Sequence, residues 1–352
     1  MKHKFIITHL FFLIFFSCNL SIREPRPSPY FDSYAKELAG LLDASLQSDP
    51  KVYFAHKQKM DSIFQKIQSE RLNPLKQFQE SNRKFFGDDP STVYYPFSGA
   101  DLINFFSFFP NAKSYNMFGL ENVVLSKDSK FYYALSRLSK DQQTQTLKSI
   151  STLSSFLGEL NYFTYRLMKK EMEASPISGI VNVLLAMISR FGFIIEDVIV
   201  EENRVQILFS KRDSIGIRIL EYRKIFLNGE VDLQTKEFFL KSKKIGVITK
   251  SAEYLFHAEK NSQVRTLLLD RAQIVIQDDS GFPFDSFPES AWDRKLFGVY
   301  TGPSRLSGVF PPLEQNNWKE IFKKEAMPLP FPFGYGVLRG KNQSNLGIFK
   351  RK

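Results

Sequence analysis

Between Tyr30 and Phe86 apolar residues recur three and four positions apart, first Leu38, Leu41, Leu42 and Leu46, then Met60, Ile63, Phe64 and Ile67. That spacing predicts two helices, with Asp49-Pro50 between them and Asn73-Pro74 ending the second. Past the loop "FFGDDPS" the pattern changes. "TVYYPF" has the β-branched and aromatic content of a strand, with Pro96 near its end where no ladder donor is needed. Ser98 and Asp101 then read as an S-x-x-D capping box for a helix holding Leu102, Ile103, Phe105, Phe106, Phe108 and Phe109. That helix is apolar on most faces, so it is expected to be buried beside a sheet, and Pro110 stops it. "SYNMFGL" supplies a second strand ending at Glu121.

The same alternation continues downstream. Ser149 to Met172 is a long helical pattern, and "ISGIVNVLLAMISRFGF" is a buried helix with Gly192 as its C-terminal cap. "FIIEDVIV", "RVQILFS" and "GIRILEYRKIFL" read as strands, the last suited to an antiparallel, half-exposed position. "NSQVRTLLLDRA" is a capped helix leading into the strand "QIVIQDD". The expected fold class is α/β: a mixed, mostly parallel sheet with Rossmann-like, methyltransferase-like strand-helix-strand units and an N-terminal helical layer. Residues 30–86 form that layer, 87–340 the α/β domain and 341–352 a basic C-terminal tail.

The first residues obey a different grammar. Lys2 and Lys4 precede an apolar stretch from Phe5 to Phe16, broken only by Thr8 and His9, with Ser17 before Cys18. Twelve residues of helix cover about 18 Å, short of the roughly 30 Å hydrocarbon core. A cleaved export signal over 1–17 fits better than a membrane span. Cys18 is the chain's one cysteine, and "FFSC" resembles the relaxed lipoboxes of spirochaete lipoproteins. The expectation is lipidation of Cys18, with palmitate-type acyl chains, followed by an extended tether over 18–29 that carries Pro25, Pro27 and Pro29.

These assignments narrow the chemistry. Once Cys18 carries lipid, thiol catalysis, disulfides and thiolate metal sites fall together. Of four histidines, His3 and His9 leave with the signal, so only His56 and His257 remain, too few for a multi-histidine metal cage. No G-x-S-x-G, H-E-x-x-H or G-x-x-x-x-G-K-[ST] occurs. Loss of Lys2 and Lys4 takes the basic count of 48 down by two, against 37 acids, and the body stays basic. At an envelope such a balance favours anionic surfaces over nucleic acid.

Open α/β sheets bind ligands beyond the carboxyl ends of their strands. Ser98, Gly99 and Asp101 occupy one such turn, with Glu121 at the end of the next strand, close to where a ribose-binding acid falls in nucleotide folds. Asp278, Asp279 and Ser280 end "QIVIQDD" in the same way. Parallel strands would bring these residues to one edge, where the carboxylates of Glu121, Asp278 and Asp279 and two hydroxyls can bind a hydroxyl-rich ligand, hold a hard cation or work as an acid-base pair. Trp292, in the loop that follows, would supply an aromatic face. No cofactor or metal is assigned, since one glycine in the first turn is too few for a dinucleotide fingerprint.

The stretches "YPFSGAD", "FGLE" and "QDDSGFP", with "GIVNVLLAMISRFGF" and "TKSAEYLF", resemble a family of uncharacterised bacterial envelope lipoproteins of the spirochaete and Bacteroidetes type. The resemblance spans roughly residues 90 to 310. It implies a lipid-anchored envelope location and an α/β body, and carries no activity to transfer. Two functions follow as expectations: a membrane-anchored ligand- or partner-binding module, or a carboxylate-dependent hydrolase or transferase working at the strand ends. The partners expected are the membrane through Cys18 and an anionic envelope surface or small-molecule ligand.

Overall fold

The computed structural model describes residues 29–352 except 48, 124–134, 161–167, 169, 173–176, 178, 213–215, 226–232, 253–254, 301–315 and 335–343. The expected signal, Cys18 and nearly all of the expected tether lie outside the described residues. In chain order the helices are α1 (Pro29–Leu38), α2 (Pro50–Ile67), α3 (Asn73–Phe86), α4 (Leu102–Phe108), α5 (Lys140–Leu160), α6 (Ile180–Arg190), α7 (Leu233–Leu240), α8 (Ser262–Leu269) and α9 (Asn316–Glu325). The strands are β1 (Thr92–Pro96), β2 (Ser114–Gly119), β3 (Phe193–Glu201), β4 (Arg204–Lys211), β5 (Arg218–Lys224), β6 (Ile245–Thr249), β7 (Ala272–Gln277), β8 (Trp292–Gly298) and β9 (Asn345–Arg351).

The nine strands among the described residues join one sheet in the order β3-β4-β5-β2-β1-β6-β7-β9-β8. The five central strands are parallel: β5 pairs with β2, β2 with β1, β1 with β6 and β6 with β7. Taken in chain order, these five stand as 3-2-1-4-5, the arrangement of a doubly wound sheet. The strand order therefore reverses between β1 and β6, and that switch point is where such sheets open a crevice. Antiparallel strands finish both sides, β3 and β4 on one and β9 and β8 on the other. The expected α/β class, a mixed sheet parallel in its core, is what folds.

The alternation along β1 shows how the sheet divides the core. Val93 and Tyr95 join a cluster with Tyr34, Met60, Leu75, Phe105 and Leu184, from the N-terminal helices, α4 and α6. Tyr94 points the other way, to Phe238, Leu268 and Trp318 of α7, α8 and α9. Successive side chains of a strand face opposite sides, so two apolar layers follow from one strand. α4 is buried almost all round, as its composition requires: of its seven residues only Ser107 is not fully buried.

Several local expectations change. Asp101, not Ser98, caps α4, accepting the Asn104 N–H at 3.4 Å, while Ser98 Oγ turns back to donate to Tyr95 O at 3.0 Å. β1 ends abruptly, with Phe97 at φ 55°, and Ser98 lies in the turn three residues before the cap position. Asn73-Pro74 does not end the N-terminal helices: a wide π turn over Gln68–Leu72 follows α2, and Pro74 stands in the first turn of α3, where its missing N–H costs nothing. The long helical pattern begins earlier than read, at Lys140. Trp292 opens strand β8 rather than lying in a loop, and residues 345–351 of the expected tail are β9, seated between β7 and β8.

Candidate functional site

Three parallel neighbours, β1, β6 and β7, end side by side at the switch point. Each hands on to a tight turn that carries charge: Asp101 after β1, Lys250 after β6, Asp278 after β7. The strand order alone thus brings together residues about 150 and 180 positions apart.

Lys250 lies at the centre. Its side chain is 0 % exposed and its Nζ stands 2.9 Å from Asp101 Oδ2. The same oxygen accepts from Tyr95 OH at 2.8 Å and from Asn104 Nδ2 at 3.0 Å, so this buried carboxylate oxygen has three donors. Asp278 is held on its other side. It accepts the Ser251 and Ser280 N–H groups, each at 3.0 Å, and the Ser280 hydroxyl at 2.6 Å. Burial drives the Asp278 carboxyl above its ordinary range, opposed by the Ser280 and Ser251 hydrogen bonds and the Lys250 charge. Burial likewise lowers Lys250, with Asp101 working against it.

The backbone is bent to make these contacts. Ser251 adopts φ 51°, in the left-handed region that side chains rarely enter. This turn aims its N–H at Asp278. Arg71, in the π turn of the N-terminal helices, enters from the opposite layer and is itself buried; its guanidinium donates to Gly158 O at 3.2 Å and Pro332 O at 3.4 Å. Its charge raises no barrier to Asp101, whose attraction supports the guanidinium in its protonated form against burial, which pushes it down to about 10. The segment that follows, through Phe333 and Gly334, lies across the top. The Phe333 ring centroid is 5.6 Å from Lys250 Nζ, and Gly334 has φ +59°, with a β-carbon there overlapping the Asp278 carboxylate. Only glycine allows so close an approach.

Glu121 stands apart. It is buried after β2 and accepts from Tyr222 OH at 2.7 Å; burial raises its carboxyl above the usual range. Between it and the Asp278 turn lie β1 and β6, so at about 4.8 Å per strand the two strand ends are roughly 14 Å apart. Gly99 (φ 55°) and Ser98 serve the turn itself, Ser98 bonding backbone. Asp279 and Ser280 brace their loop: the Asp279 N–H donates to Asn345 Oδ1 at 2.8 Å, and Ser280 Oγ accepts from the Ala252 N–H at 2.9 Å. Trp292 belongs to the opposite apolar layer, under the Arg351 guanidinium at 4.5 Å. Of the candidates read from sequence, Asp101 and Asp278 are brought into one cluster and joined there by Ser280.

Lys250, Arg71, Tyr95 and Asn104 had no sequence signal of their own. Burial marks them, and burial of Lys250 depends on a strand, "IGVIT", too short to show a period. Among the described residues no group of three or more His, Cys, Asp or Glu side chains is placed to hold a metal ion. No described helix is long and apolar enough to cross a membrane. No family model, no curated protein and no solved structure matches the chain.

Proposed function

We propose that the chain is a membrane-anchored envelope lipoprotein whose α/β body is a ligand- or partner-binding module. One observation carries the choice of binding over catalysis: at the switch point Asp101 is bonded by Lys250, Tyr95 and Asn104, and Asp278 by the Ser280 hydroxyl and the Ser251 and Ser280 N–H groups, beneath Phe333 and Gly334. A catalytic carboxylate must present an oxygen to its substrate. Here the charges act as a keystone that locks three strand ends. The anchorage rests on the sequence before Tyr30, with Cys18 as the lipid acceptor.

The test is native mass spectrometry of the body from Tyr30 onward, incubated with an envelope metabolite extract whose composition is followed over time. A stoichiometric adduct with an unchanged extract supports the binding reading. Conversion of an extract component, lost in a folded Asp278→Asn variant, replaces it with a carboxylate-dependent enzyme.

A further inference from the structure

The opposite edge of the sheet, where the parallel strands begin, holds a cavity of about 630 Å³. Its wall is built by the turns that lead into β1, β6 and β7, and by the end of β9. The topology explains its charge. β9 runs antiparallel to β7, so its final residues arrive where β7 starts, and those residues are Lys350, Arg351 and Lys352. They face Lys243, Lys244 and Arg271 from the lead-ins to β6 and β7. Three acids share the wall, Asp88, Asp89 and Asp270, which leaves the cations in excess.

The cations are positioned but not neutralised. Among the described residues none of Lys243, Lys244, Arg271, Lys350 and Arg351 is in an ion pair. Both arginines are held by backbone carbonyls around the end of α8: Arg351 donates to Leu269 O at 2.6 Å and Ala272 O at 3.0 Å, and Arg271 to Leu267 O at 3.4 Å. Lys350 is fitted against the chain at Gly87, whose φ is +71° and where a β-carbon would stand 3.1 Å from the ammonium nitrogen. Of the acids, Asp89 is occupied by the Asn111 N–H at 3.0 Å. Guanidinium groups anchored on backbone carbonyls beside unpaired lysine ammonium groups, in a cavity of ligand size, form the donor set of an oxyanion with several acceptor oxygens.

We propose that this groove binds phosphate esters, through Lys243, Lys244 and Lys350 with Arg271 and Arg351. A phospholipid headgroup and a soluble phosphate monoester share that chemistry. The inference is independent of what the opposite edge binds.

The test uses the chain from Asn19 onward, which keeps every described residue. Glycerol 3-phosphate and inorganic phosphate are titrated in solution. Sedimentation is measured with phosphatidylcholine vesicles, with and without phosphatidylglycerol. Two double variants carry the same loss of charge: Lys243→Ala with Lys350→Ala in the groove, and Lys319→Ala with Lys324→Ala on α9. The expected result is binding that falls about tenfold or more in the groove variant and less than about twofold in the α9 variant, with salt weakening it. Binding to glycerol 3-phosphate in solution assigns a soluble ester, and binding confined to phosphatidylglycerol vesicles assigns a headgroup. Equal losses in the two variants, or binding to none of the probes, overturn the site.

Discussion

Asp101 and Lys250 show why a buried charge constrains its neighbours. Each alone would be costly to take out of water, and the pair is tolerated because Tyr95 and Asn104 complete the carboxylate's hydrogen bonds. Lys250→Met keeps the length of the side chain but leaves Asp101 without its cation, and we expect a loss of about 3 to 5 kcal/mol in urea unfolding. Adding Asp101→Leu to that variant should recover part of the loss, because the uncompensated charge is gone. A double variant no more stable than Lys250→Met would show that packing, not charge, sets the cost. Glu37 of α1 makes a different case. Burial pushes its carboxyl up to about 7, opposed by the Leu135 N–H. Unfolded, it ionises near 4.5, so between 4.5 and 7 the folded chain holds the extra proton and stability falls as pH rises. His56 and His257, pushed down to about 4 by burial, act in reverse: between 6.5 and 4 the unfolded chain takes protons the fold refuses, and stability falls as pH falls. Glu37→Gln removes only the first effect. It should stabilise the protein by about 1 to 2 kcal/mol above pH 7, after allowance for solvent screening, and change little near pH 4. Equal shifts at both pH values would mean that the carboxyl titrates alike in the folded and unfolded chain, so burial does not raise it.

At the scale of elements, α4 is the piece most fully specified by its own residues. Phe105 is completely buried, edge-on to Tyr95 at 5.6 Å and Tyr115 at 5.1 Å, and Phe106 meets Tyr115, Phe191, Phe193 and Phe209. We expect Phe105→Ala to cost about 3 to 5 kcal/mol, measured by chemical denaturation, since no neighbour is free to fill the space. A near-neutral midpoint would mean that the helix relaxes into the gap. The composition of α4, apolar on most of its faces, made its burial legible, and β1 to β5 and β7 were legible from short runs of β-branched and aromatic residues. β6 and β9 were not. "IGVIT" is five buried residues with no polar-apolar alternation, and "NLGIFKR" ends in charges that read as a solvated tail. Both are strands because of what lies beside them: β6 is buried on both faces between β1 and β7, and β9 closes the gap between β7 and β8. Non-local pairing carries no local signature, and for the same reason Lys250 read as an ordinary lysine. The edge of the sheet on which the Ser-Gly turns gather was legible. The strand order, which separates Glu121 from Asp278 and inserts a lysine between two aspartates, was not.

For the whole molecule, the two ends of the sheet have opposite characters. The carboxyl edge of the parallel strands is closed by an internally paired cluster, and the amino edge is an open groove with cations to spare. Buried charge at one edge fixes the strands relative to each other, and exposed charge at the other is available to a partner. Attachment decides what that partner can be. On the proposed attachment, a lipid at Cys18 followed by the tether expected up to residue 29 would keep the body within roughly 30 Å of the bilayer, at about 3.1 Å per residue of extended chain. Weak contacts to the surface are then raised in effective concentration, and a groove of modest affinity suffices. We therefore expect Cys18→Ser to act on the whole protein's distribution without touching its fold. The variant should leave the membrane fraction or accumulate as a precursor retaining residues 1–17, and should lose label from a palmitate analogue. Its circular dichroism and unfolding midpoint should match those of the parent body. Processing at the normal position together with unchanged membrane retention would show that the body holds to the envelope by its own surface, and lipid at Cys18 would not be the anchor.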